Sequence, residues 1–153
     1  MNVGLTWMGS KSHRNDGNRS LPRGALKPLA LVQGVTWHCL CKEGWDDRLA
    51  DLGMVNGLEG CEDWYDTAKA IRSLDLVVSV DTAIAHLAGG MGIPCWMLIA
   101  AVPDMRWMLE RTDTPWYKSV RLYRQQKAGE WGPVIERVAA DLQLEVYARR
   151  MAA

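Results

Sequence analysis

Ser79, Asp81 and Thr82 stand in the stretch SVDTAIAHLAGGMGIP, where the apolar run LDLVV stops and an amphipathic pattern begins. A hydroxyl-rich junction between a buried strand and a helix suits anion binding. The first amides of a helix lack intrahelical acceptors and its dipole leaves that end positive, so a phosphate can seat there. Thr82 and Ala83 would supply the amides. Thr82, His86 and Gly89 recur on the face opposite Ile84, Leu87 and Met91, so a hydroxyl and an imidazole can point into a crevice while the apolar stripe packs on a sheet. Asp81 is odd beside an anion. It suits capping the helix, or accepting hydrogen bonds from the hydroxyls of a ribose or sugar.

A second polar segment, GSKSHRNDGNRS at residues 9–20, follows the first apolar run and carries Lys11, His13, Arg14 and Arg19. Each feature also has a plainer reading. Ser-x-Asp-Thr before an apolar helix is an ordinary N-cap cluster; His86 can be a packed helix residue; Arg14 and Arg19 can be solvated loop charges. Convergence separates the two readings: a basic turn and a bare helix end are meaningful together if both lie at one edge of a sheet. Asp104, Arg106 and Trp107 follow Pro103 in a further loop and either touch a ligand or partner, or, in the case of Trp107, roof the core. His38 and the pair Cys39 and Cys41 read as strand residues with core roles. Gly-x-Gly-x-x-Gly, P-loop and Gly-x-Ser-x-Gly patterns are absent, as is an Asp-x-Asp dyad, so dinucleotide dehydrogenases, P-loop kinases, serine hydrolases and a divalent cation are not expected.

These residues need a scaffold, and the apolar pattern predicts one. Strands are expected over residues 3–8, 35–41, 54–58, 76–80, 94–100 and 120–124. Helical patterns intervene: one from about Pro22, a short one over 45–52, one over 63–74 with Trp64, Thr67, Ala68, Ile71 and Leu74 in phase behind an Asp-x-x-Asp capping box, the helix after Thr82, and a closing helix carrying Trp131, Val134, Ile135, Val138, Leu142 and Val146. Six alternations of strand and helix predict an α/β domain with an open parallel sheet of about six strands and helices on both faces. Ligands of such sheets sit beyond the carboxyl ends of the strands, where the strand order reverses.

Length and composition narrow the rest. A chain of 153 residues makes one domain. Lys plus Arg and Asp plus Glu balance at 18 each, so no general field draws nucleic acid or an anionic membrane. The four cysteines form no Cys-x-x-Cys pair, so neither zinc nor a disulfide framework is expected. The longest apolar run, residues 94–103, is too short to span a bilayer, and the start lacks a charged-then-apolar leader, so a cytoplasmic protein without a membrane span is expected.

The segments WMGSKSHRNDGNRSLP, LDLVVSVDTAIAHLAGGMGIPCWML, PDMRWMLERTDTPWYKSVRLYRQ and EWGPVIERVAADL together resemble the C-terminal domain of family 9 glycosyltransferases, which include ADP-heptose:lipopolysaccharide heptosyltransferases. They are more similar still to the glycosyltransferase domain that ends bacterial tetratricopeptide-repeat proteins. The resemblance implies a Rossmann-like domain forming one half of a GT-B fold, which binds a nucleotide-diphosphate sugar as substrate without a metal or other cofactor. It implies that Asp81, Thr82 and Ala83 lie at the diphosphate and sugar, that Arg19 is a basic phosphate-binding residue, and that Ser10 is a further donor contact. Arg14, Lys42, Ser79 and His86 complete the expected donor site. Where repeat-linked relatives have Leu-Gln-Lys, this chain has Cys-Leu-Cys-Lys, so a polar contact is replaced at Cys41 while Lys42 remains. The resemblance implies that these residues correspond to the C-terminal half alone, without the acceptor-binding N-terminal half of a GT-B enzyme.

Two functions follow as expectations. One is the donor-binding part of a glycosyltransferase, transferring a hexosyl or heptosyl group when joined to an acceptor-domain partner. The other is a non-catalytic binding or protein-interaction module derived from such an enzyme, pairing with another chain or as a homo-oligomer. A nucleotide-sugar epimerase fragment is a third, more distant reading.

Overall fold

The computed structural model describes residues 1–45 and 53–152. Six strands form one sheet, all parallel, in the order β3-β2-β1-β4-β5-β6: β1 Asn2–Thr6, β2 Thr36–Cys39, β3 Val55–Asn56, β4 Leu76–Val80, β5 Cys95–Ile99 and β6 Val120–Arg124. The helices are α1 Asp16–Arg19, α2 Lys27–Ala30, α3 Trp64–Arg72, α4 Ala83–Gly90 and α5 Gly132–Ala152, with 3-10 turns at Arg23–Leu26 and Met105–Trp107. This is the expected Rossmann-like α/β sheet. The chain builds outward from β1 to β3, then returns to the opposite side of β1, so the order reverses between β1 and β4.

Parallel strands covered on both faces must be apolar on both, and β4, LVVSV, is buried at every position. Alternate residues face different layers. Val3, Leu5, Val78 and Val80 join Leu29 of α2 and Val134, Ile135, Val138, Leu142 and Val146 of α5 in one core. Val77, Cys95, Met97 and Leu122 join Ile71 of α3 and Ile84, Ala85 and Ala88 of α4 in the other. Gly4 is needed in β1 because a Cβ there would lie 2.5 Å from Leu40 Cδ1 and 2.7 Å from Leu74 Cδ1.

Several expected boundaries shift. The segment 9–20 ends in the single helical turn α1, stitched by Ser20 N to Asp16 O at 2.9 Å, rather than remaining loop throughout. The helix expected from Pro22 is a 3-10 turn followed by the four residues of α2. Half of the expected capping box of α3 forms: Asp63 accepts from the Asp66 amide at 2.9 Å, while the Asp66 carboxylate accepts from Glu62 N at 3.3 Å rather than from Asp63 N. Trp64, in phase with the core residues of α3, is 59% exposed instead, at the first position of the helix. The short helix expected over 45–52 falls outside the described residues from 46 onward. No described helix is long and apolar enough to cross a membrane. All four cysteines are free thiols, with Cys39, Cys41 and Cys95 buried.

The core assignment is testable on α5, whose two sides differ sharply. Leu142→Ala, at a fully buried position, is expected to lower unfolding free energy by about 2–5 kcal/mol in urea titrations. Leu144→Ala, at an exposed position of the same helix, is expected to change it by less than about 0.5 kcal/mol.

Candidate functional site

The reversal of strand order leaves no crossover covering the carboxyl ends of β1 and β4, and a cleft of about 620 Å³ opens there. Its lining includes Ser10, Arg19 and Lys42 from the turns after β1 and β2, and Thr82 and Ala83 from the tip of α4. Five of the nine expected donor-site residues therefore meet in one cavity.

The turn after β1 is shaped to place Arg19. Gly9 N donates to Ser20 Oγ at 2.9 Å, and Ser20 Oγ donates to Asp16 Oδ1 at 2.9 Å, closing the loop on itself. Arg19 Nε pairs with the same Asp16 oxygen at 3.2 Å, and Arg19 Nη1 donates to the Asp81 carbonyl at 2.8 Å. That last bond ties the turn after β1 to the turn after β4, across 62 residues of sequence. The bare Cα of Gly9 leaves room for this arrangement, since a Cβ there would displace the Arg19 guanidinium and the Asp16 carboxylate.

At α4, Thr82 is extended and makes no side-chain cap bond to the helix. Its hydroxyl lies 3.1 Å from Ser79 Oγ, which itself donates to the Val80 carbonyl at 2.7 Å. Ser79 is thus a buried support for Thr82 rather than a wall of the cleft. The Ala83 and Ile84 amides have no hydrogen-bond acceptor among the described residues, so the helix tip opens onto the cleft uncapped.

The remaining expected residues lie elsewhere. Arg14 is exposed and does not line the cleft. Asp81 neither caps α4 nor faces the cavity: Oδ2 accepts from Trp107 Nε1 at 2.8 Å and Oδ1 lies 3.6 Å from His86 Nε2. His86 does not point into the cleft beside Thr82. Its Nδ1 is 3.0 Å from Tyr117 Oη, its ring packs 5.3 Å from that of Trp107, and Gly89 sits beneath Tyr117. The polar face of α4 is covered by the segment following β5, a cover that helical periodicity cannot reveal. Trp107 accordingly roofs the core at 1% exposure while its indole nitrogen orders Asp81.

The cleft also includes residues that the sequence did not assign to a site: Thr6 and Leu58, and Trp64 and Thr67, which it placed only on the stripe of α3. For Thr6 a signal existed: a hydroxyl residue ends an otherwise apolar strand, VGLT. Leu58 and Trp64 gave none, since their elements meet β1 only in the folded sheet.

A Rossmann-like domain with a basic turn and an open helix tip at its switch-point cleft is the class that fold and geometry define. Compared with known proteins, the chain is similar to Protein FlbA of Caulobacter vibrioides, with 30% identity over 148 residues that cover 92% of this chain and 24% of that protein. It therefore spans about a quarter of the length of this relative. No family model matches the chain, and no solved structure matches it.

Burial of the His86 ring is the main cause that depresses its pKa, and Arg106 adds to it, while Asp81 and Asp104 oppose. A group that is harder to protonate when folded contributes stability at pH values above its unfolded pKa, lost as pH falls below about 6.5. NMR titration is expected to place the His86 pKa below that of a free histidine. His86→Gln is expected to flatten the decline in Tm between pH 7 and pH 5.

Proposed function

We propose that this chain binds the donor of a metal-independent glycosyltransferase, seating the diphosphate of a nucleotide sugar at the tip of α4 beside Arg19. The observation that carries this reading is the 2.8 Å bond from Arg19 to the Asp81 carbonyl, which fixes a guanidinium next to the uncapped amides of Ala83 and Ile84. Both border the same cavity. A departing nucleoside diphosphate gains negative charge as the glycosidic carbon is released, and fixed N–H donors stabilise that charge without rearranging. Arg19 Nη2 has no partner among the described residues and is available to a phosphate oxygen. Lys42 and Ser10 border the cleft on the side of β2 and β1 and fit as outer contacts. The resemblance to the donor half of family 9 glycosyltransferases agrees with this placement. In that reading the acceptor comes from a second surface, so binding rather than turnover belongs to these residues.

Calorimetric titration with ADP and UDP tests the proposal. Arg19→Ala is expected to weaken binding by about 10- to 100-fold, as expected for losing a hydrogen bond to a charged group. Absence of binding of any nucleoside diphosphate or its sugar conjugates by the unaltered chain would falsify the donor-site reading.

One observation favours the alternative, an interaction module. Val102, Met105, Leu109 and Trp116 are exposed on the segment after β5. That segment is tied to β6 by Arg124, which donates to the carbonyls of Trp107, Met108 and Arg111. Large apolar groups held in fixed positions suit a protein partner. Under this reading Met105→Asp abolishes self-association or partner capture in sedimentation experiments and Arg19→Ala leaves it intact. Under the donor reading their effects on nucleotide binding are reversed.

A further inference from the structure

Thr6 ends β1 on the floor of the cleft. Its neighbours along the strand, Val3, Leu5 and Trp7, point into the core shared with α2 and α5. Gly4 backs onto Leu40 and Leu74 on the other side, and Thr6 shares that side by alternation. It is 2% exposed, and its hydroxyl has no hydrogen-bond partner among the described residues. A buried hydroxyl without a partner destabilises the fold, and native structures contain few of them. Valine has the same shape, favours strands, and would fill the site without that cost.

Position explains the hydroxyl. Thr6 pairs in register with Ser79, its neighbour on β4. The Ser79 hydroxyl is directed to the Val80 carbonyl and Thr82 Oγ1 and makes no bond to Thr6. Adjacent strands are separated by about 4.8 Å, so Thr6 lies beside Ser79, whose hydroxyl is 3.1 Å from Thr82 Oγ1 at the start of α4. The cleft is bordered by Thr6, Arg19, Thr82 and Ala83 together.

We propose that Thr6 is part of the anion seat, its hydroxyl donating a hydrogen bond to an oxygen of the phosphate held at the α4 tip. The ligand-free protein carries the cost of an unmatched hydroxyl, and the bound diphosphate removes it. This inference rests on the anion-site reading above, and adds a residue that acts from the sheet floor rather than from either turn.

Thr6→Val removes the hydroxyl and little else. The variant is expected to bind inorganic pyrophosphate and ADP about 10- to 100-fold more weakly than the unaltered chain. Its ligand-free Tm should stay level or rise by about 2–4 °C. Thr6→Ser, which keeps the donor, should retain most of the affinity for both ligands. Equal binding by Thr6→Val and the unaltered chain overturns the inference while leaving the anion site standing. A loss confined to ADP overturns it too, because the contact would then be to the nucleoside. So does a ligand-free Tm of Thr6→Val several degrees lower, which would mean that the hydroxyl is satisfied within the fold. If the unaltered chain binds neither pyrophosphate nor ADP, the underlying reading fails and takes the inference with it.

Discussion

The pairing of β1 with β4 is the constraint on which the rest depends. Residues 3–6 lie beside residues 76–79 in parallel register, so both strands deliver their carboxyl ends to one edge of the sheet. Because no helix crosses between them at that edge, the turns that follow must face each other over an open cleft. Arg19 then reaches the Asp81 carbonyl across a gap that the register has made small. The guanidinium and the helix tip thereby border one cavity.

The cleft is built from two kinds of polar group under different constraints. Those at the tip of α4 are backbone amides, present whatever the side chains are, and made available because Thr82 turns its hydroxyl to Ser79 instead of capping the helix. Arg19 depends on side chains throughout: Asp16, Ser20 and the missing Cβ of Gly9 all shape the route it takes. On the far side of α4, Asp81, His86, Trp107 and Tyr117 form a closed cluster whose hydrogen bonds and ring contacts are mostly internal. That cluster clamps the segment after β5 onto the helix. Asp81 links both sides, offering its backbone carbonyl to Arg19 and its carboxylate to Trp107.

Much of this was legible from residue order alone. The apolar run of β4, the capping box of α3 and the buried stripe of α5 are local patterns, and each element formed where its pattern lay. The basic segment and the bare helix end were visible as chemistry, and alternation of strand and helix was enough to put both at carboxyl ends of strands. His86 was misplaced for an identifiable reason. Helical spacing showed that it shares a face with Thr82 and Gly89, yet what covers that face comes from residues 107–117, more than 20 positions away.

By itself, then, the sequence determined the six strands, the helices α3, α4 and α5, the parallel sheet with two covered faces, and the polar character of the turns, because these follow from periodicity and from the needs of backbone hydrogen bonding. Tertiary structure decided which turns meet. It selected Arg19 over Arg14, drew Asp81 and His86 away from the cavity, brought Thr6, Leu58 and Trp64 into it, and left the Thr6 hydroxyl unmatched. Those outcomes depend on strand order and on packing between segments distant in the chain, and no local pattern of residues encodes either.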